Sequence, residues 1–200
     1  MTRIERPAVP VEQPLAPPSL WPPVAAILDF WFSPAARQLW FAKDAEFDAE
    51  IARRFAAAWQ RVADGDIGGW PRTATGALAL VILLDQFPRN MFRDTAGAFA
   101  TDEAARLLAD EALAHDLDAE LPPEQRRFLY LPFMHSEDVA DQRRAVDLFA
   151  RDGDANSLDY ARRHFAIVER FGRFPHRNAT LGRLTTPEEA AFLKEPGSSF

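Results

Sequence analysis

Cysteine is absent from this chain of 200 residues. The absence excludes disulfide bonds, thiolate nucleophiles and zinc–thiolate sites, because each of them needs a cysteine sulfur. Any metal site would have to be built from histidine, aspartate and glutamate side chains. A chain without cysteine is compatible with a reducing compartment, and we expect a cytoplasmic protein.

Long apolar runs are missing as well. The most apolar uncharged stretch, from 73 to 84, has 12 residues, whereas a membrane-spanning helix needs about 20. The chain does not begin with a basic segment followed by an apolar one, so we expect no secretory signal. The sequence therefore predicts no membrane partner.

Positive charge is in deficit, with 23 lysines and arginines against 30 acidic residues and a formal net charge of −7. Nucleic-acid binding needs a net basic face, so we predict no nucleic-acid partner. Tyrosine is scarce beside phenylalanine, 2 against 16, and a buried phenylalanine has no polar group to satisfy. This composition is typical of a globular chain with a large core.

Proline is distributed unevenly along the chain. Residues 1–23 contain seven of the 16 prolines. Proline fixes φ and lacks an amide donor, so these residues are predicted to form an extended or disordered arm. Residues 24–200 are predicted to form a single helical domain.

Apolar residues repeat at helical spacing in that domain. Phe47, Ile51 and Phe55 begin one apolar stripe that follows Lys43, and residues 77–84 are apolar on every face, which places their helix at the centre of the fold. Alternating strand patterns are lacking and the connections are short. We therefore predict an all-α fold of seven to eight helices packed as antiparallel pairs.

Local signals predict where several helices begin and bend. Ser136 is the predicted N-cap of a helix over residues 137–150. Phe87 precedes a proline, which disfavours the helical conformation, so we expect the chain to bend there. Thr186 and Glu189 have the spacing of a capping box and predict a short final helix.

The first polar cluster directly follows the most apolar segment. Asp85, Arg89 and Asn90 are its candidate ligand-binding residues, and Gln86 and Arg93 accompany them. A guanidinium fork matches a carboxylate or phosphate, which favours an anion site. The alternative, a commoner arrangement, is an ion pair between Asp85 and Arg89 that ties a loop to the core.

The second cluster begins at His135 and includes Ser136, Glu137 and Asp141. His135 and Glu137 are candidate catalytic residues. Histidine can take up a proton near neutral pH, and two carboxylates four residues apart on a helix would raise the pKa of one of them. The alternative is that acids at the start of a helix only interact with its dipole.

The third cluster extends from His164 to residue 183 and is rich in arginine and histidine. Its candidate catalytic residue is His176, and its candidate ligand-binding residues are His164, Arg173, Arg177 and Asn178. The alternative for the arginines is pairing with acids of the same chain. His164 lies on an apolar stripe, where a hydrogen-bonded core histidine is the commoner role.

Known cofactor motifs are lacking. The sequence contains no glycine-rich phosphate loop, no dinucleotide-binding fingerprint and no His-Glu-x-x-His pair, so we expect no cofactor. A zinc site made by His135, His164 and His176 is conceivable, but these residues lie far apart in sequence. We therefore predict no metal site.

Several longer motifs resemble the bacterial family catalogued as domain of unknown function 924. They span residues 27–32, 83–90, 130–137, 170–178 and 196–200, and include Leu-Leu-Asp-Gln-Phe-Pro-Arg-Asn and Arg-Phe-Gly-Arg-Phe-Pro-His-Arg-Asn. The resemblance covers nearly everything but the proline-rich arm. It implies an all-helical, tetratricopeptide-like fold and no established activity.

Two functions are compatible with these observations. A tetratricopeptide-like stack favours a module that binds a ligand or peptide in a concave groove. The alternative is an enzyme for a small anionic substrate, in which arginines hold the anion while His135 or His176, with Glu137, moves protons. A third possibility is that the clusters only stabilise the fold. The enzyme requires the three clusters to meet in one pocket, and the sequence does not indicate an oligomeric state.

Overall fold

The computed structural model describes residues 24–66 and 72–199. The predicted proline-rich arm, residues 1–23, lies outside the described residues. Every regular element in the described ranges is a helix, which confirms the predicted all-α class. None of these described helices is long and apolar enough to cross a membrane.

The helices follow one another with short connections. The α-helices are α1 (Val24–Trp31), α2 (Pro34–Arg37), α3 (Ala45–Ala63), α4 (Ala74–Val81), α5 (Phe87–Met91), α6 (Asp102–Ala114), α7 (Pro123–His135), α8 (Val139–Asp152), α9 (Ala155–Phe171) and α10 (Pro187–Phe192). Three 3₁₀ turns, at Ala96–Phe99, Leu117–Glu120 and Pro175–Arg177, connect some of them. The described chain thus has more helical segments than the seven to eight predicted, because elements as short as α2 and α5 carry no periodic signal.

Helix packing buries one large hydrophobic core. The apolar stripe of α3 faces inward, with Ile51 and Phe55 buried, and α4 is buried on nearly every side, as predicted. Rings from α1, α3 and α5 meet there, and the centroids of Phe55 and Phe87 lie 4.7 Å apart. Helices α7, α8 and α9 pack consecutively, and their two- and three-residue connections make them antiparallel neighbours.

A π-helical turn, Ile82–Gln86, joins α4 to α5. The bend that we expected at Phe87 does not occur, because Phe87 is helical with φ −60° and ψ −38° and its N–H donates to the Ile82 carbonyl, five residues back. Pro88 has no N–H to donate to the preceding turn, and the carbonyl of Leu84, four residues back, accepts instead from the Thr101 hydroxyl at 2.6 Å. The wider turn places Asp85 and Gln86 inside the protein.

The start of α8 also differs from the prediction. Asp138, and not Ser136, is the N-cap, and its carboxylate accepts from the N–H groups of Ala140 and Asp141. Ser136 ends α7 with an extended ψ of 145° and donates a hydrogen bond to Asp141 Oδ2 at 2.7 Å. Glu137 therefore precedes the helix, and the predicted shared helix face of Glu137 and Asp141 is wrong.

Candidate functional site

The three polar clusters meet in space. His135 of the second cluster places its Nδ1 atom 2.7 Å from Oδ1 of Asp85 in the first. Arg177 of the third cluster places Nη1 3.5 Å from Oδ2 of Asp102, whose carboxylate also receives both guanidinium arms of Arg89. Asp102, at the start of α6, therefore connects the first cluster to the third.

Asp85 is a fully buried carboxylate that the π turn directs toward α7. Gln86 donates to it, His135 contacts it, and the guanidinium of Arg89 lies 3.6 Å away. Burial by itself would raise the pKa of Asp85, but the positive charge of Arg89 and the interactions with His135 hold it below the ordinary value of 3.8. Asp85 is therefore ionised at neutral pH.

The ionised state of Asp85 fixes the tautomer of His135. A carboxylate can only accept hydrogen bonds, so Nδ1 of His135 carries the proton and donates it to Asp85. Burial and the charge of Arg89 together lower the pKa of His135 from 6.5, against the opposing effect of Asp85. His135 is then a neutral imidazole at pH 7, and its Nε2 atom carries the lone pair.

The guanidinium of Arg89 donates hydrogen bonds to acceptors of its own chain. It donates to Asp102 at 2.7 and 3.0 Å and to the backbone carbonyl of Asp85 at 2.7 Å. The predicted Asp85–Arg89 pair is thus present but long, and Asp102 is the closer partner. Asn90 likewise donates to Asp48 at 2.8 Å, which ties α5 to α3.

Arg177 has a different environment. The residue is only 7% exposed, and its guanidinium carbon lies 4.6 Å from the ring centre of Phe99 and 4.5 Å from that of Phe174. Both rings are within the range of cation–π attraction. Its Nε atom is buried without a hydrogen-bond partner among the described residues. Burial and the nearby charge of Arg89 lower the pKa of Arg177 to about 10.

Glu137 is held by an arginine. Arg183 donates to its two carboxylate oxygens at 2.6 and 2.9 Å, and the N–H of Phe174 donates at 2.8 Å. Burial acts to raise the pKa of Glu137, but these hydrogen bonds outweigh it and lower the pKa below 4.5. The raised carboxylate pKa that the sequence predicted in this cluster is therefore wrong for Glu137.

The other two candidate histidines are largely enclosed. His164 is a buried residue of α9 whose Nδ1 lies 2.8 Å from the Tyr160 carbonyl, and burial lowers its pKa to about 3. Burial also lowers the pKa of His176 to about 4. The ring of His164 lies 6.5 Å from that of His135. Both histidines are neutral at pH 7, and neither belongs to the described residues that line the cavity between the clusters.

Arg173 and Asn178 stabilise the C-terminal segment. Arg173 donates to Glu189 at 2.6 and 2.8 Å, and Asn178 donates to the same carboxylate at 3.2 Å. The predicted capping box of Thr186 and Glu189 is confirmed. The Arg173 hydrogen bonds, with the others, lower the pKa of Glu189 to about 2. These two predicted ligand-binding residues therefore contact a carboxylate of their own chain.

A cavity of about 390 Å³ opens between the 3₁₀ turn before α6, the end of α7 and the segment after α9. Its described lining combines charged, polar and apolar side chains, namely Phe99, Asp102, Glu103, Arg106, Pro132, His135, Ser136, Glu137, Arg177 and Leu181. Of the predicted site residues, His135, Glu137 and Arg177 reach it.

The sequence did not lead us to predict that α6 contributes residues to the cavity. Asp102, Glu103 and Arg106 all line the cavity, yet acids in a first helical turn are ordinary dipole partners and drew no separate prediction. One signal was present in the sequence. Arg106 follows Glu103 by three residues and Asp102 by four, a spacing that puts the three side chains on one helix face.

Metal binding has no support in the described part of the chain. No three histidine, aspartate or glutamate side chains of residues 24–66 and 72–199 lie close enough to hold a metal ion. The His135–Asp85 hydrogen bond instead uses the Nδ1 atom of that histidine. The conceivable three-histidine zinc site does not form among these residues.

The fold and the site define an all-helical protein with an ion-paired cavity near the ends of three helices. The chain belongs to the family of bacterial proteins of unknown function known as DUF924, whose model matches residues 27–197. A solved structure of a protein of unknown function, ATU0120 from Agrobacterium tumefaciens, is similar to it, with 49% identity and a TM-score of 0.81. That match covers 86% of this chain and 96% of the other. No curated protein matches.

Proposed function

We propose that the protein binds a small anionic molecule, such as a carboxylate, in the cavity, with Arg177 as the anchoring cation. A cavity of about 390 Å³ is within the size range of small-molecule sites. The guanidinium lies over the rings of Phe99 and Phe174, and its N–H groups point out from the edges of its own plane. A planar carboxylate matches such an edge.

The incomplete pairing of Arg177 carries this proposal. A buried charge is costly unless it is paired and hydrogen-bonded. Arg177 has an ion pair at 3.5 Å to Asp102, but Asp102 already accepts two closer hydrogen bonds from Arg89. A bound carboxylate would supply the second counter-charge that the described residues do not.

Carboxylate binding is tested with acetate, butyrate, hexanoate and inorganic phosphate as probes. We expect at least one carboxylate, at ten times its dissociation constant, to raise the melting temperature of the wild-type chain by about 3–6 °C. Calorimetry should show that Arg177→Lys weakens binding about tenfold, because lysine keeps the charge but loses the bidentate geometry. Arg177→Met should abolish it.

Arg170→Met is the matched control for these variants. Arg170 lies at the end of α9 with its side chain 49% exposed, pairs with Glu188 and does not line the cavity, so its removal should leave probe binding unchanged. If no probe binds the wild-type chain at 10 mM, or if Arg177→Lys and Arg170→Met bind like the wild type, the proposal is rejected. The binding measurement on the wild-type chain does not depend on how well any variant folds.

A second candidate function, an enzyme in which His135 is a general base, rests on the Asp85–His135 pair. The carboxylate fixes the imidazole tautomer, so the lone pair of Nε2 is available, and His135 lines the same cavity as Arg177. A neutral histidine held by a carboxylate is suited to accept a proton from a bound molecule. Glu137 is paired with Arg183, so His135 is the stronger candidate of the two.

Pyruvate provides a test of proton transfer, because it combines a carboxylate with exchangeable methyl protons. We expect the wild-type chain to accelerate deuterium uptake from D₂O at the methyl group, with Nε2 of His135 taking the proton and exchanging it with solvent. His135→Gln should reduce the accelerated rate by about 100-fold or more while pyruvate still binds. Proton NMR measures the exchange. If pyruvate takes up deuterium no faster with the wild-type chain than in buffer alone, the enzyme hypothesis is rejected and only the binding function is kept.

Two finer sequence predictions stay predictions. Tetratricopeptide-like pairing of the helices is supported by the short turns that connect α7, α8 and α9. A cytoplasmic location is supported by the lack of cysteine. Peptide binding in a groove is the weaker form of the binding hypothesis, because the cavity has the size of a small-molecule site.

A further inference from the structure

The charges that line the cavity are mostly neutralised by other residues of the chain. Asp102 is paired with Arg89, and Glu137 is paired with Arg183. The Nε atom of Arg106 lies 3.2 Å from a carboxylate oxygen of Asp141, outside the lining. These three lining residues therefore present little net charge to a ligand.

Two lining charges remain. Arg177 contacts Asp102 only at 3.5 Å, and the side chain of Glu103 makes no ion pair or hydrogen bond with the described residues. Glu103 follows Asp102 directly in the first turn of α6 and lines the same cavity as Arg177. Among the described lining residues, the charges without a close partner are thus one cation, Arg177, and one anion, Glu103.

We infer that the ligand is zwitterionic, with a carboxylate on Arg177 and an ammonium group facing Glu103; the inference rests on the proposed anion site. A simple monoanion would place a second negative group in the cavity that Glu103 lines, whereas an added ammonium group would be attracted to that carboxylate. A dianion would add a net negative charge to a lining whose uncompensated charges already sum to zero. An amino acid or a short amino-carboxylate satisfies both groups at once.

The apolar part of the lining suits the carbon chain of such a molecule. Phe99, Pro132 and Leu181 contribute apolar surface between the charged residues. Methylene groups lose contact with water when they pack there, which adds to affinity. The separation of the two ligand charges is then set by the number of methylene groups.

The test compares ω-amino acids with the corresponding simple carboxylates. The probes are glycine, β-alanine, 4-aminobutyrate and 6-aminohexanoate, paired with acetate, propionate, butyrate and hexanoate. At one or two chain lengths we expect the amino acid to bind about fivefold to tenfold more tightly than its carboxylate, as measured by calorimetry. The best chain length reports the distance between the two subsites.

Glu103→Gln should remove this preference, so that each amino acid binds no better than its carboxylate. Glu103 is exposed, and its substitution should lower the melting temperature by no more than about 3 °C. Glu111→Gln is the matched control, because Glu111 lies on the same helix with its side chain 55% exposed and outside the cavity lining. It should keep the wild-type preference.

The outcomes separate this inference from the proposal on which it rests. Carboxylates that bind as tightly as amino acids at every length would overturn the zwitterion and leave the anion site intact. A preference that persists in Glu103→Gln would overturn the role of Glu103. If neither class binds the wild-type chain, the anion site itself is wrong, and the inference falls with it.

Discussion

Replacing Asp85 with asparagine is expected to lower the free energy of unfolding by about 3–5 kcal/mol, because it removes one partner of a buried charge network. The carboxylate is fully buried and interacts with Gln86, Arg89 and His135. An amide cannot balance the Arg89 charge, and its NH₂ group replaces an acceptor with a donor. Urea unfolding followed by circular dichroism measures the loss.

Asp94→Asn is the matched control for Asp85→Asn. The Asp94 side chain is 80% exposed and lies 3.8 Å from Lys43, and asparagine tolerates its positive φ of 61°. We expect a change within about 0.5 kcal/mol there. A loss at Asp85 as small as that at Asp94 would contradict the role of the buried network.

The stability difference between the wild type and Asp85→Asn should depend on pH. The pKa of Asp85 is lower in the folded chain than the ordinary value of 3.8, so folding favours the ionised form. This contribution is complete above the pKa of the unfolded state and is lost as the pH falls toward the folded-state pKa. The gap between the two chains should therefore shrink in acid below about pH 4.

Replacing Phe87 with alanine should cost about 3–5 kcal/mol, the usual range for a phenylalanine deleted from a packed core. Its ring is fully buried and lies 4.7 Å from that of Phe55 and 5.6 Å from that of Trp31, measured between centroids. Two effects lower the free energy of unfolding: apolar contacts are lost, and a cavity remains that the surrounding helices cannot fill. Thermal and urea unfolding measure it.

Phe41→Ala is the control for this deletion, because Phe41 is 79% exposed and should contribute less than about 1 kcal/mol. Phe87 also lies two residues after Asp85, at the end of the π turn. A loss at Phe87 no larger than that at Phe41 would contradict the stabilising role of the buried aromatic cluster.

Local sequence patterns predicted the positions of several helices correctly. The stripe of Phe47, Ile51 and Phe55 gave the buried face of α3, and the Thr186–Glu189 spacing gave the capping box of α10. Both signals act over three or four residues, so they are visible in sequence. Ser136 failed as an N-cap because Asp138, two residues later, offers a competing acceptor.

The candidate site was predicted less completely. The residue types at the helix ends identified His135 and Arg177, but Arg173 and Asn178 turned out to contact Glu189. Nothing in the local sequence distinguishes an arginine that will find an acid of its own chain from one that will not. Asp102 was missed for the same reason, since its partners Arg89 and Arg177 lie on other elements.

The sequence alone determined the helical class and the placement of polar side chains after apolar segments, because propensity, capping and periodicity depend on neighbours within about one turn. Only the tertiary structure decided which acid each arginine contacts, as in the pair of Arg183 and Glu137, which lie 46 residues apart. The energy of such a pair depends on distance and burial, and both are fixed only when the helices pack. That packing leaves Arg177 and Glu103 lining one cavity, without a close partner of opposite charge in the part of the chain that the structure describes.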